Sequence, residues 1–148
     1  MDDIDIKILR ILKSDARIPY LAIGKAVNLS TSAVAERVRK LEKKGVISRY
    51  AAIIDGKAFE KELTALMHIS LGSPIHNDDF QEFVAKQNDI LECHYIAGDY
   101  DYLLKIITKN PESLEQLLNT IKSQIGVMKT YTNIVLKTIK NDYSVNPE

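Results

Sequence analysis

The sequence predicts an α+β protein in two parts: a winged helix-turn-helix at the N-terminus, then a domain ordered β-α-β-β-α-β. Three observations predict it. Between Leu21 and Arg49 a short apolar helix pattern, a break at Asn28-Leu29-Ser30 and a basic amphipathic helix follow one another. After residue 64 the apolar periodicity shifts from mainly helical to alternating strands and helices. Asn110-Pro111 then marks a helix start inside that second region, an N-cap followed by proline at the first helical position.

The first helix is expected from about Asp5 to Lys13. Ile4, Ile8, Leu9, Ile11 and Leu12 form a wide apolar stripe, and Asp2 or Asp3 can cap its start. Asp15-Ala16-Arg17 leads to Pro19, which closes the first connection. Leu21, Ile23, Ala26 and Val27 make the second helix apolar. Ser30 is a good N-cap for the third, because its hydroxyl can accept a first-turn amide. Val34, Val38 and Leu41 share one buried face of that helix. Its other faces carry Ser32, Ala33, Glu36, Arg37 and Lys40. Gly45 sits where a C-terminal glycine stop belongs. Val46-Ile47-Ser48 and Tyr50 to Ile54 are rich in β-formers and are expected to make a small wing.

Residues 55–64 read as a polar connector. The second domain then runs over 65–140: a strand at 65–71 with Met67, Ile69 and Leu71 on one face, a helix at 78–86, strands at 91–97 and 102–108, a helix from Pro111 stopped by Gly126, and a long last strand at 127–139. This order is ferredoxin-like. The partition is therefore 1–54 winged helix-turn-helix, 55–64 linker, 65–140 second domain, and 141–148 a loosely ordered tail. A sheet with helices on one face needs a cover for the other, and a second copy of the sheet supplies one.

The chain has 148 residues, room for one larger or two small domains. No apolar run is long enough to cross a membrane, and the acidic start MDDIDIKIL is unlike a signal peptide, so a cytoplasmic protein is expected. The single cysteine, Cys93, excludes an internal disulfide and a Cys-cluster zinc site. His68, His76 and His94 form no metal-ligand spacing, so no metal or cofactor is expected. Net charge is zero, but it is unevenly placed. Residues 1–60 carry 12 Lys and Arg against 8 Asp and Glu, and residues 61–148 carry 8 against 12. The basic half suits phosphates; the acidic half stays off them.

These features make the third helix a candidate reader of double-stranded DNA. Arg37 and Lys40 are expected to project into the major groove with Ser32, Ala33 and Glu36 nearby. Arg39, Lys44 and Arg49 would meet phosphate, as would the helix start at Ser30.

Four stretches carry a wider likeness: IDIKILRIL with DAR, NLSTSAVAERVRKLEKKGVI, AGDYDYLLKI and TNIVLKTIK. Together, over nearly the whole length, they resemble the Lrp/AsnC family, the feast/famine regulators. The resemblance implies a transcription regulator rather than an enzyme. It implies a homodimer joined through the second domains, assembling to an octamer or larger, and an amino acid effector bound between subunits. Gly98-Asp99-Tyr100-Asp101 matches the family's effector loop. Gly98 permits a close backbone approach, exposed amides suit a carboxylate, and Asp99 or Asp101 suits an ammonium group. Read without the resemblance, the same four residues make a plain turn. Asn119, Thr130 and Thr132 are expected to approach this loop from a neighbouring subunit. Two other functions use the same domain pair: an architectural DNA-wrapping protein without an effector, and a tetrapyrrole-decarboxylase-like enzyme. No nucleophile–base or acid–base pair in the sequence favours the second.

Overall fold

The computed structural model describes residues 1–148 and divides them into two compact units, Met1–Ile53 with Lys140–Glu148, and Ile54–Ile139.

In the first unit three helices form: α1 (Asp3–Ser14), α2 (Tyr20–Val27) and α3 (Thr31–Lys43). Asp2 caps α1 in a reciprocal box. Its carboxylate accepts the Asp5 amide at 2.8 Å, and the Asp5 carboxylate accepts the Asp2 amide at 3.2 Å. Ser30 caps α3 by accepting the Ala33 amide at 3.2 Å. Ile8, Leu12, Ile23, Val27, Val34 and Val38 make the core, with Leu29 and Ile47 packed at its margin. Between α2 and α3 the chain turns through Asn28 at φ 57°, and Leu29 donates its N–H to the Gly24 carbonyl at 2.9 Å. Gly45 at φ 70° ends α3 as expected.

The wing does not form. Residues 46–54 contain no strand, and Val46, Tyr50, Ile53 and Ile54 point outward. β-rich composition makes a strand only where a second segment supplies a ladder, and no segment of this unit does. The stretch is pinned instead at its start, by the Val46 N–H on Leu41 and the Tyr50 hydroxyl on Glu42 at 2.9 Å. The tail is without regular structure, yet it has a seat. Arg10 Nε donates to the Pro147 carbonyl at 3.0 Å, and Lys13 Nζ bonds the Asn146 side chain, both on α1.

The second unit is a four-stranded antiparallel sheet with two helices. Its elements are β1 (Leu63–Leu71), α4 (Asn77–Ala85), β2 (Ile90–Tyr95), β3 (Tyr102–Thr108), α5 (Pro111–Lys122) and β4 (Val127–Ile134), in sheet order β2-β3-β1-β4. Ala65, Met67 and Ile69 of β1 and Tyr102, Leu104 and Ile106 of β3 face Phe80 and Val84 of α4 and Leu114 and Ile121 of α5. Both helices therefore cover one face. The opposite face presents Leu66 and His68, Leu103 and Lys105, and Tyr131, and neither helix of this unit lies on it. The polar connector holds a 3-10 turn at Gly56–Phe59, and β1 starts two residues earlier than expected. β4 stops at Ile134 rather than Ile139. Its only neighbour, β1, begins at Leu63, and the last bond runs from the Val135 N–H to the Thr64 carbonyl at 2.9 Å.

Candidate DNA-reading helix and effector loop

α3 buries Val34, Val38 and Leu41 and leaves Ser32, Glu36, Arg39, Lys40, Lys43 and Lys44 exposed, with Ala33 half-buried. Arg49 is also exposed, beyond the helix end. Lys40 pairs with Glu36 one turn back at 2.8 Å, and this hydrogen bond holds the Glu36 carboxyl below the usual carboxylate range. Lys43 is an exposed cation of the same helix that the candidate set omits; its charge and its place on the face away from Val34 and Val38 were the available signal. Gly24 is a second omission. A Cβ there would lie 2.5 Å from the Leu29 carbonyl oxygen, so the tight turn before α3 requires glycine.

Arg37 departs from expectation. It does not stand free on the outer surface of α3. Its Nη1 donates to both carboxylate oxygens of Asp2, at 3.0 and 2.8 Å, and to Asp5 Oδ1 at 2.7 Å. The reason is its place on the helix. Arg37 directly precedes Val38 on the flank of the buried stripe, so it meets the start of α1 rather than open solvent. The Asp5 amide and then Arg37 hold the Asp2 carboxyl below its ordinary value, and Asp2 and then Asp5 push the guanidinium higher. An open groove of about 400 Å³ runs beside this contact, lined by Asp5, Ala33, Glu36, Arg37, Lys40 and Lys44 among others.

The effector loop joins β2 to β3. Gly98 has φ 151° and open space around it, with no atom within 4 Å of where a Cβ would stand. The amides of Gly98, Asp99 and Tyr100 have no partner within the chain. Asp99 is exposed. Tyr100 is half-buried on the uncovered side of the sheet, its ring 5.3 Å from His68 and 6.5 Å from Tyr131, with Lys129 Nζ 5.0 Å above it.

Asp101 is partly engaged within the chain. Its carboxylate accepts the Leu71 amide at 2.7 Å and the Ser70 hydroxyl at 3.4 Å, and its own N–H donates to Ile69 at 2.9 Å. The β1–β3 ladder ends at the Ile69–Tyr102 pair, so the Leu71 amide one step beyond has no strand partner there, and Asp101 is the acceptor that satisfies it. One oxygen of that carboxylate, Oδ2, is therefore engaged at the end of β1, while Oδ1 has no partner and Asp99 stands exposed.

Asn119 lies exposed on α5. Thr130 and Thr132 are registered with Ile69 and Met67, which puts them on the helix-covered side of β4. None of the three shares a hydrogen bond with the loop in this chain. Elsewhere, burial raises the Cys93 thiol above its ordinary pKa, and no three His, Cys, Asp or Glu side chains converge as metal ligands would.

Comparison with known proteins bears on both regions. Residues 1–42 match the AsnC-type helix-turn-helix domain, and residues 64–145 match the Lrp/AsnC ligand binding domain. The chain is 39% identical over 140 residues to the HTH-type transcriptional regulator FL11 of Pyrococcus horikoshii, covering 95% of this chain and 92% of that one. It is 35% identical to the leucine-responsive regulatory protein of Haemophilus influenzae, over 95% of this chain and 86% of that one. A transcriptional regulator from Neisseria meningitidis, solved as its L-methionine complex, has a TM-score of 0.93 at 30% identity, covering 98% and 96% of the two chains. No helix is long and apolar enough to cross a membrane.

Proposed function

The chain belongs to the Lrp/AsnC family of transcriptional regulators, and from that membership we propose that it binds DNA through α3 as a homodimer and responds to a free amino acid held at the Gly98–Asp101 loop. It is a regulator with a helix-turn-helix and a ligand-binding domain, not an enzyme.

On DNA, Ser32, Ala33, Glu36 and Lys40 address base edges, while Ser30 at the helix start, Arg39, Lys44 and Arg49 meet phosphates. The exposure of all of them but the half-buried Ala33, and the free amides at the start of α3, support this. The uncovered face of the sheet pairs with the same face of a second copy, and dimers join into an octamer or larger body. Asn119, Thr130 and Thr132 reach the loop from a neighbouring subunit in that assembly. Because Asn119 is neutral, the side chain it meets is polar or apolar rather than cationic.

One observation carries the effector reading. The loop sets the unpartnered amides of Gly98, Asp99 and Tyr100 beside the free carboxylate of Asp99, which are the two partners an amino acid requires. The L-methionine complex of the Neisseria meningitidis regulator supports the ligand class. A thermal-shift screen of free amino acids on the purified protein tests it, since a ligand of the folded state raises the melting temperature. A neutral amino acid should give the shift and Gly98→Trp should remove it. If no amino acid shifts the wild type, the protein is a DNA-wrapping member without an effector.

A further inference from the structure

The guanidinium of Arg37 is gripped by one nitrogen only. Nη1 makes every contact with Asp2 and Asp5, while Nε and Nη2 have no partner. The free pair is not arbitrary. Nε–H and one Nη2–H run parallel along the side of a guanidinium, the fork that fits two oxygens of one phosphate. The side chain is 30% exposed and lines the groove beside α3. The two acids are fixed in turn, because they are the two halves of the capping box at the start of α1. An arginine held at one corner by a rigid element has lost most of the rotamer freedom it would otherwise lose on binding.

Charge alone gives the opposite expectation for these acids. Two carboxylates against one guanidinium leave a negative excess beside the reading helix, and at long range that repels DNA. The cap of α1 accounts for their place there, and the grip on Arg37 is a second role.

We propose that Asp2 and Asp5 are positioning residues for DNA binding: they hold Arg37 by Nη1 so that its Nε–H and Nη2–H fork donates to a DNA phosphate at the groove beside α3. The inference rests on the DNA-binding reading above. It makes the contact of Arg37 sequence-independent, and it adds two acidic residues to the binding machinery.

The sign of one measurement decides it. Asp2→Asn with Asp5→Asn keeps side chains that can still cap α1 but releases Arg37. Binding of the full chain to a fluorescent short duplex of random sequence is followed against salt concentration. Removing two negative charges should nevertheless weaken binding several-fold, and the slope of log K against log salt should flatten by about 1. Arg37→Ala in the same background should add little further loss, because the three residues act as one unit. Affinity equal to or above the wild type in the double variant overturns the proposal. If the double variant fails to fold by circular dichroism, Arg37→Lys decides. It keeps the charge and lacks the fork, so it should bind several-fold more weakly at an unchanged melting temperature, and binding like the wild type overturns the proposal. A wild type that binds no duplex removes the DNA-binding reading and this inference together.

Discussion

A methyl group added at Gly24 would sit 2.5 Å from the Leu29 carbonyl oxygen, a backbone atom that cannot swing aside. Gly24→Ala should therefore cost about 1–3 kcal/mol in urea unfolding, and DNA affinity should fall with it because that turn sets α3 against α2. Gly98→Ala meets no atom, so its cost is backbone strain in the loop and DNA binding should be unchanged. Equal loss of DNA binding in both would mean that the Gly24 turn does not position α3. Tyr50 offers a pH readout. Burial, and then its hydrogen bond to Glu42, pushes the phenol up to about 12 from an ordinary 10.0. A raised phenol pKa stabilises the fold below pH 10 and loses that contribution as pH climbs through 12. Ultraviolet titration should show a tyrosine ionising near pH 12, and Glu42→Gln should lower that midpoint. At this scale the sequence shows residue type and misses engagement. Arg37 and Asp101 both looked like free ligands, because their partners stand 35, 32 and 30 residues away on other elements.

Helix starts were legible because a cap is local. Asp2 with Asp5, Ser30 with Ala33 and Asn110 with Ser113 all act across three residues. Asn110 also accepts the Ser113 amide in a box with Pro111 at the first helical position, so α5 begins where the sequence says. Asn110→Ala should lower stability by about 1 kcal/mol in chemical denaturation, while Asn110→Ser should be nearly neutral. A neutral alanine would show that packing of Leu114 and Ile121 alone sets that helix end. Strand limits were less legible because a strand ends where its neighbour does. Apolar alternation carries the pattern of β4 on to Ile139, but beyond Thr64 β1 has only its first residue, Leu63, left. The wing failed for the same reason in stronger form: residues 46–54 have the composition of a strand and no ladder partner.

At the scale of the molecule, the basic and acidic halves of the sequence correspond to a helix-turn-helix and a ligand-binding domain, and the β-α-β-β-α-β order is present in full. The proposed pairing of uncovered sheet faces has its own test. Leu66→Asp with Leu103→Asp places charges on that face without touching the Met67–Leu104 core. Light scattering should then report a monomer for the variant against a dimer or larger body for the wild type, with the fold retained by circular dichroism. A stable wild-type monomer at micromolar concentration would remove the pairing altogether. The seat of the tail was not legible, since nothing in the composition of residues 140–148 names Arg10 and Lys13 as partners.

That seat gives the chain an unusual topology of connection. The first unit is written in two pieces, and the second is a parenthesis between them. Arg10 and Pro147 are 137 residues apart along the chain, so their contact closes a very long loop. Most of that loop is residues 54–139, and when they are folded the freely moving part of it is short. Unfolding the parenthesis lengthens the loop, and each doubling raises the entropic cost of seating the tail by about 0.6 kcal/mol. Whatever keeps residues 54–139 folded thereby raises the fraction of tails seated on α1, a coupling that travels through chain connectivity and needs no touching surface.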